Sequence, residues 1–234
     1  MMISLPLSVF SGLAIYFSDA SSSTEIENIL VVDGVLFDDW QEILYQYPQN
    51  KSSTTYTIPN SVTWVISQAF QNCDNLEKIK LPEFIHEISY GCFAECDKLN
   101  NVVIPNGVEE IYSSAFENCK SLTNITFSNN TRNYGSSIFE GTPWYNDQPD
   151  GPVYTGAVLY KIKGALPENT EFTVKDGTIG IAEYAFCTED MNDYGFYTSG
   201  DHNLVKVTLP ESIEFIGQCA FIFIWCTNLE EINF

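Results

Sequence analysis

The 234-residue sequence predicts a solenoid of the α/β class, predominantly β, in which short parallel strands, short helical turns and inserted β-hairpins stack along one axis. Three observations predict it. Prolines recur at a fixed interval, apolar residues fall into columns when aligned on them, and the composition suits a packed core. Apolar residues make up 44% and charged residues 18%, which fits neither a disordered tail nor a membrane bundle.

From the N-terminus, residues 1–28 read as a degenerate repeat remnant or N-terminal segment. No Lys or Arg precedes Lys51, so the basic start of a signal peptide is missing. The apolar run ending at Phe17 is too short and too interrupted to cross a membrane. Phe10-Ser-Gly-Leu13 echoes later units. Residues 29–56 read as a capping β-hairpin. Asp33-Gly-Val-Leu-Phe37 and Glu42-Ile-Leu-Tyr-Gln-Tyr47 alternate around a polar tip.

Residues 57–143 carry the regular repeat. Pro59, Pro82 and Pro105 lie 23 residues apart. Val65, Ile88 and Ile111 form one column; Phe70, Phe93 and Phe116 a second; Leu76, Leu99 and Leu122 a third; Ile79, Val102 and Ile125 a fourth. Leu-x-x-Ile-x-Leu-Pro alternates with period two before a residue that cannot donate to a ladder, so it reads as a short strand that ends at proline. One such strand per 23 residues gives a parallel stack spaced by about 4.8 Å. The Val-x-x-Ile-x-x-x-Ala-Phe segment returns on the opposite side as a short strand or helical turn. No unit buries its columns alone; stacked neighbours bury them jointly.

Residues 144–171 read as an inserted hairpin with Thr155-Gly156 at its turn. Residues 172–234 hold divergent repeats, in which Lys175 stands where proline is expected and Pro210 restores it. A loop insertion occupies 187–203 and a two-residue bulge falls at 222–226. The chain stops inside a strand at Phe234. The expected consequence is an uncapped C-terminal coil, met by further repeats or by end-to-end association of two chains.

Seven cysteines exclude complete internal pairing, and no C-x-x-C occurs. Cys73, Cys96 and Cys119 recur at the repeat interval, with Cys226 in the same slot, and read as a column of buried thiols. A net charge of −21 repels phosphate backbones, so no nucleic-acid partner is expected. The two histidines, His86 and His202, leave little material for a zinc site. Asp190, Asn192 and Gly195 suggest a calcium loop. Tyr194 and Asp201 break the pattern where charge is needed. Glu109-Glu110 and Glu230-Glu231 are neighbours on extended backbone and diverge. No nucleophile elbow or phosphate loop is present. No catalytic residue, metal or cofactor is expected. Asn50, Asn124 and Asn129 begin glycosylation sequons, which matter only in a eukaryotic secretory pathway.

Ile58-Pro-Asn-Ser-Val62, followed by Ala69-Phe70, Cys73, Leu76 and Ile79, resembles the BspA-like leucine-rich repeat family. Asp33-Gly-Val-Leu-Phe37 and Gly141-Thr-Pro-Trp144 resemble segments that accompany such repeats. The resemblance covers roughly residues 29–234 and implies a right-handed leucine-rich repeat stack. It also implies a non-enzymatic cell-surface or secreted protein that adheres to host or matrix proteins, with no membrane insertion of its own. The alternatives are an intracellular repeat scaffold and an accessory repeat region of a larger multidomain protein. The expected protein-binding face is the pair of outward strand columns: Lys78, Asn101, Asn124 and Lys206 in one; Lys80, Val103, Thr126 and Thr208 in the other.

Overall fold

A computed structural model describes residues 29–187, 203–220 and 226–234. The N-terminal remnant, almost all of the 187–203 insertion with its calcium-like motif, and most of the 222–226 bulge lie outside these residues.

The first described strands, β1 (Leu30–Val32), β2 (Val35–Phe37) and β3 (Ile43–Gln46), form an antiparallel meander. Asp38 shapes its tip, where its carboxylate accepts from the backbone N–H groups of Glu42 and Ile43, each at 2.7 Å. The coils then begin. Strands β4 (Thr55–Thr57), β6 (Lys78–Lys80), β8 (Asn101–Val103) and β10 (Asn124–Thr126) form one parallel sheet. Each residue in it faces the residue 23 positions on. On a second side, β5 (Trp64–Val65) pairs in parallel with β3, while β7 (Glu87–Ile88), β9 (Glu110–Ile111) and β11 (Asn133–Tyr134) form a parallel ladder. The meander thus becomes a rung of the solenoid's second side.

The third side corrects the expectation of helical turns. Helix among the described residues is confined to α1 (Pro143–Asn146). Elsewhere the Ala-Phe segments are turns in which two residues four apart adopt positive φ: Gln68, Gly91, Ser114 and Ser137 in one column, Asn72, Glu95, Asn118 and Gly141 in another. The cause is hydrogen bonding. The N–H groups of Gln68, Phe70 and Asn72 donate to the carbonyls of Tyr90, Cys92 and Ala94 in the next coil, while those of Ala69, Gln71 and Cys73 close turns within their own. Every second N–H therefore points along the stack, and every backbone donor from Gln68 to Cys73 finds an acceptor.

Proline's place also becomes clear. The carbonyls of Pro59, Pro82 and Pro105 accept from the N–H three residues on, starting the turn into the second side. Lys175 does the same, and its own N–H donates to the Tyr154 hydroxyl at 3.1 Å, a bond proline cannot make. The departure from the repeat thus follows from the inserted hairpin that brings Tyr154 there.

That hairpin is β12 (Gly151–Thr155) and β13 (Val158–Lys163). Thr155 ends a strand, paired with Val158, and the turn falls one residue later, at Gly156-Ala157, because Gly156 carries the required φ of +65°. Strand β13 pairs in parallel with β15 (Gly180–Ile181), which pairs with β17 (Phe215–Ile216), so the hairpin supplies a rung of the second side. The first side resumes as β14 (Thr170–Thr173), β16 (Leu204–Thr208) and β18 (Glu231–Asn233) in a separate parallel sheet.

The core follows the columns. Tyr47, Phe70, Phe93, Phe116 and Phe139 stack as consecutive rings with centroids 5.0, 5.0, 5.3 and 5.8 Å apart. Tyr160 then meets Phe139 edge-on. A second, smaller cluster begins at Leu159 and gathers Val174, Phe186, Leu204 and Val207.

Candidate functional site

The first-side sheet positions the candidate residues. Alternation buries Ile79 and Val102 and turns Lys78, Lys80, Asn101, Val103, Asn124 and Thr126 to solvent. The parallel register sets Lys78 beside Asn101 and Asn101 beside Asn124. Val103 is 54% exposed at the centre. Neither Lys78 nor Lys80 has an ion-pair partner among the described residues. The surface therefore combines two unpaired ammonium groups, two amides and a β-branched apolar side chain on a rigid ladder.

Strand β4 adds Thr55 and Thr57, both exposed and in register with Lys78 and Lys80. Sequence reasoning missed both, Thr55 by assigning 29–56 to the cap and Thr57 by starting the outward columns one unit later, at Lys78 and Lys80. The signal was present: Thr55-x-Thr57-Ile-Pro59 has the spacing of Lys78-x-Lys80-Leu-Pro82.

Lys206 and Thr208 are not part of this surface. They lie on β16 in the later sheet, separated from β10 by the coil and hairpin of residues 127–169. Lys206 is half-buried and bonded to Glu231 at 3.1 Å, and that hydrogen bond holds the Glu231 carboxyl below the usual range. The eight predicted residues therefore form a six-residue face and a separate pair.

The cysteine column is buried and reduced, and its thiols have a use beyond packing. Cys96 and Cys119 each lie 3.0 Å from the carbonyl oxygen of Phe70 and Phe93, one coil back, and Cys226 lies 3.9 Å from that of Phe186. A thiol donor there satisfies a buried acceptor on the ring ladder. Hydrogen bonding with Cys96 and burial raise the Cys73 and Cys119 thiols well above the ordinary range. Hydrogen bonding with Cys119 and Cys73 acts on the Cys96 thiol in the opposite direction, lowering it.

Two cations, half-buried Lys163 and buried Lys161, hold the inserted hairpin. The Lys163 ammonium donates to the carbonyls of Tyr145, Asn146 and Gln148 at 3.2, 2.6 and 2.6 Å, closing the C-terminal end of α1. Lys161 sits 3.9 Å from Glu140, which accepts from the Tyr160 hydroxyl at 3.0 Å. Burial raises the Glu140 carboxyl, and the Lys161 charge opposes that rise. Among the described residues no group of three or more His, Cys, Asp or Glu side chains is placed to hold a metal ion.

The profile described as BspA type Leucine rich repeat region matches residues 42–146 and 189–234 in six copies. The chain belongs to the BspA-type leucine-rich repeat family. Its repeat-bearing coils are those that carry the Phe, Cys and strand columns described above. No curated protein matches it significantly. Similar solved structures include a leucine-rich repeat protein from Bacteroides ovatus (20% identity, TM-score 0.41, covering 78% of this chain and 55% of that one). Another is the pneumococcal vaccine antigen PcpA (22%, 0.49, 88% and 47%). A third is the leucine-rich repeat protein of T. pallidum (21%, 0.42, 80% and 82%). The chain spans about half the length of the first two. No helix among the described residues is long and apolar enough to cross a membrane.

Proposed function

We propose that this BspA-type repeat chain is a non-enzymatic protein-interaction module, acting at the cell surface or in secreted form, whose binding face is the outer surface of β4, β6, β8 and β10. The observation that carries the reading is the pair of unpaired lysines, Lys78 and Lys80, on a rigid ladder beside exposed Val103. In a chain of net charge −21, free cations on one sheet form a local exception that an acidic patch on a partner matches. The host or matrix class of partner comes from the family resemblance. The free thiols favour a second reading, an intracellular scaffold using the same face.

The test is surface plasmon resonance of the chain over immobilised matrix and serum proteins, at two salt concentrations. Lys78→Glu/Lys80→Glu is expected to weaken a captured interaction and flatten its salt dependence, with the circular dichroism spectrum unchanged. Affinity equal to that of the unaltered chain would place binding elsewhere.

A further inference from the structure

The second side of the solenoid presents a different surface. Trp64, at the start of β5, is 43% exposed, and its indole N–H donates to the Glu87 carboxylate on β7 at 2.9 Å. One rung further, Glu110 on β9 stands directly beside Glu87 in the parallel register. Tyr112, two residues on, has a ring 42% exposed, and interaction with the Glu110 carboxylate raises its hydroxyl. Glu42 and Glu109 flank the strip, both exposed and both tied to it through backbone bonds to Trp64 and His86. The nearest guanidinium, Arg132, is already engaged by Glu214.

Isolated surface aromatics need no explanation. Here, however, Trp64 is fixed by a hydrogen bond to the Glu87 carboxylate and Tyr112 lies beside Glu110, so ring faces and negative charge are presented together. That pairing is complementary to guanidinium, which stacks on aromatic rings while its N–H groups reach carboxylate oxygens. We infer that the β5–β7–β9 surface is a second interaction face, fitted to an arginine-rich segment of a partner protein through the Trp64–Glu87 and Glu110–Tyr112 pairs. It is independent of the Lys78/Lys80 face, which carries the opposite charge.

Fluorescence anisotropy with labelled nona-arginine, using the full chain at low ionic strength, tests this. Trp64→Ala and Tyr112→Ala are each expected to weaken binding about two- to fivefold. Glu87→Gln/Glu110→Gln is expected to weaken it about three- to tenfold. Nona-lysine should bind more weakly than nona-arginine, because it lacks the planar group. Glu168→Gln/Glu211→Gln makes the same charge change away from the strip and should leave binding close to that of the unaltered chain. Lys78→Glu/Lys80→Glu should not weaken it. Equal losses in both Glu-to-Gln pairs, equal affinity for the two peptides, or no binding at all would each overturn the inference. Chemical denaturation of each variant separates loss of binding from loss of fold.

Discussion

Phe116 is the interior rung of the aromatic ladder, and its removal offers a quantitative test of the register. The side chain is fully buried, with Phe93 5.3 Å away on one side and Phe139 5.8 Å on the other, both nearly parallel to it. Truncation of a buried Phe to Ala costs about 3–5 kcal/mol. Loss of two aromatic contacts, each worth about 0.5–1.5 kcal/mol, puts Phe116→Ala toward the upper end. The continuous ladder limits collapse, because coil spacing is held by backbone bonds from Phe93 to Ala115 and from Phe116 to Ile138. With a urea dependence of about 2–3 kcal/mol per molar, the midpoint should fall by roughly 1.5–2 M. Phe116→Leu keeps most of the volume and should lose less than half as much. Val103→Ala on the exposed face serves as the control and should be nearly neutral. Fluorescence and circular dichroism followed together would show whether the solenoid unfolds as one unit. A Phe116→Ala midpoint within error of the unaltered chain would refute the stacked-ring register.

Three further outcomes are expected. In the native chain a thiol reagent should react rapidly at Cys219, the one exposed cysteine among the described residues, and at all seven after unfolding; six found in bridges would contradict the buried-thiol column. Lys163→Met leaves three carbonyls without their ammonium donor and should cost about 2–3 kcal/mol, read by denaturant melting, with a value near zero contradicting its role at the end of α1. Burial makes native Glu140 hold its proton to higher pH than the unfolded chain does. Its contribution to stability is therefore full below the unfolded value of about 4.3 and declines as pH rises through the native pKa. The stability of the unaltered chain relative to Glu140→Gln should fall as pH rises from 4 to 7, and a pH-independent difference would contradict this.

The parts of the fold legible in the sequence are those that repeat. Proline spacing and the Val, Phe, Leu and Ile columns specify strands, coil length and core, because each apolar position must meet its equivalent 23 residues on. The first positive-φ column, and its equivalents in the later coils, were not legible. Gln68, Ser114, Ser137, Tyr184 and Cys219 share no side-chain signature, since the conformation is imposed by hydrogen bonds to the next coil. Lys78, Lys80, Asn101 and Val103 could be placed on one face from alternation alone. The separation of Lys206 from them could not, because it depends on how residues 127–169 divide the first side into two sheets. The Lys206–Glu231 pair was within reach, since both residues fall in one outward column on neighbouring strands.

Differential lysine acetylation tests the proposed face most directly. The chain is labelled alone and with a captured protein partner, and the rate at each lysine is read by peptide mass. Lys78 and Lys80 should be protected in the complex, while Lys120 and Lys175, exposed away from the sheet, should react at unchanged rates. Protection of Lys120 or Lys175 with unchanged labelling of Lys78 and Lys80 would contradict binding through β4, β6, β8 and β10.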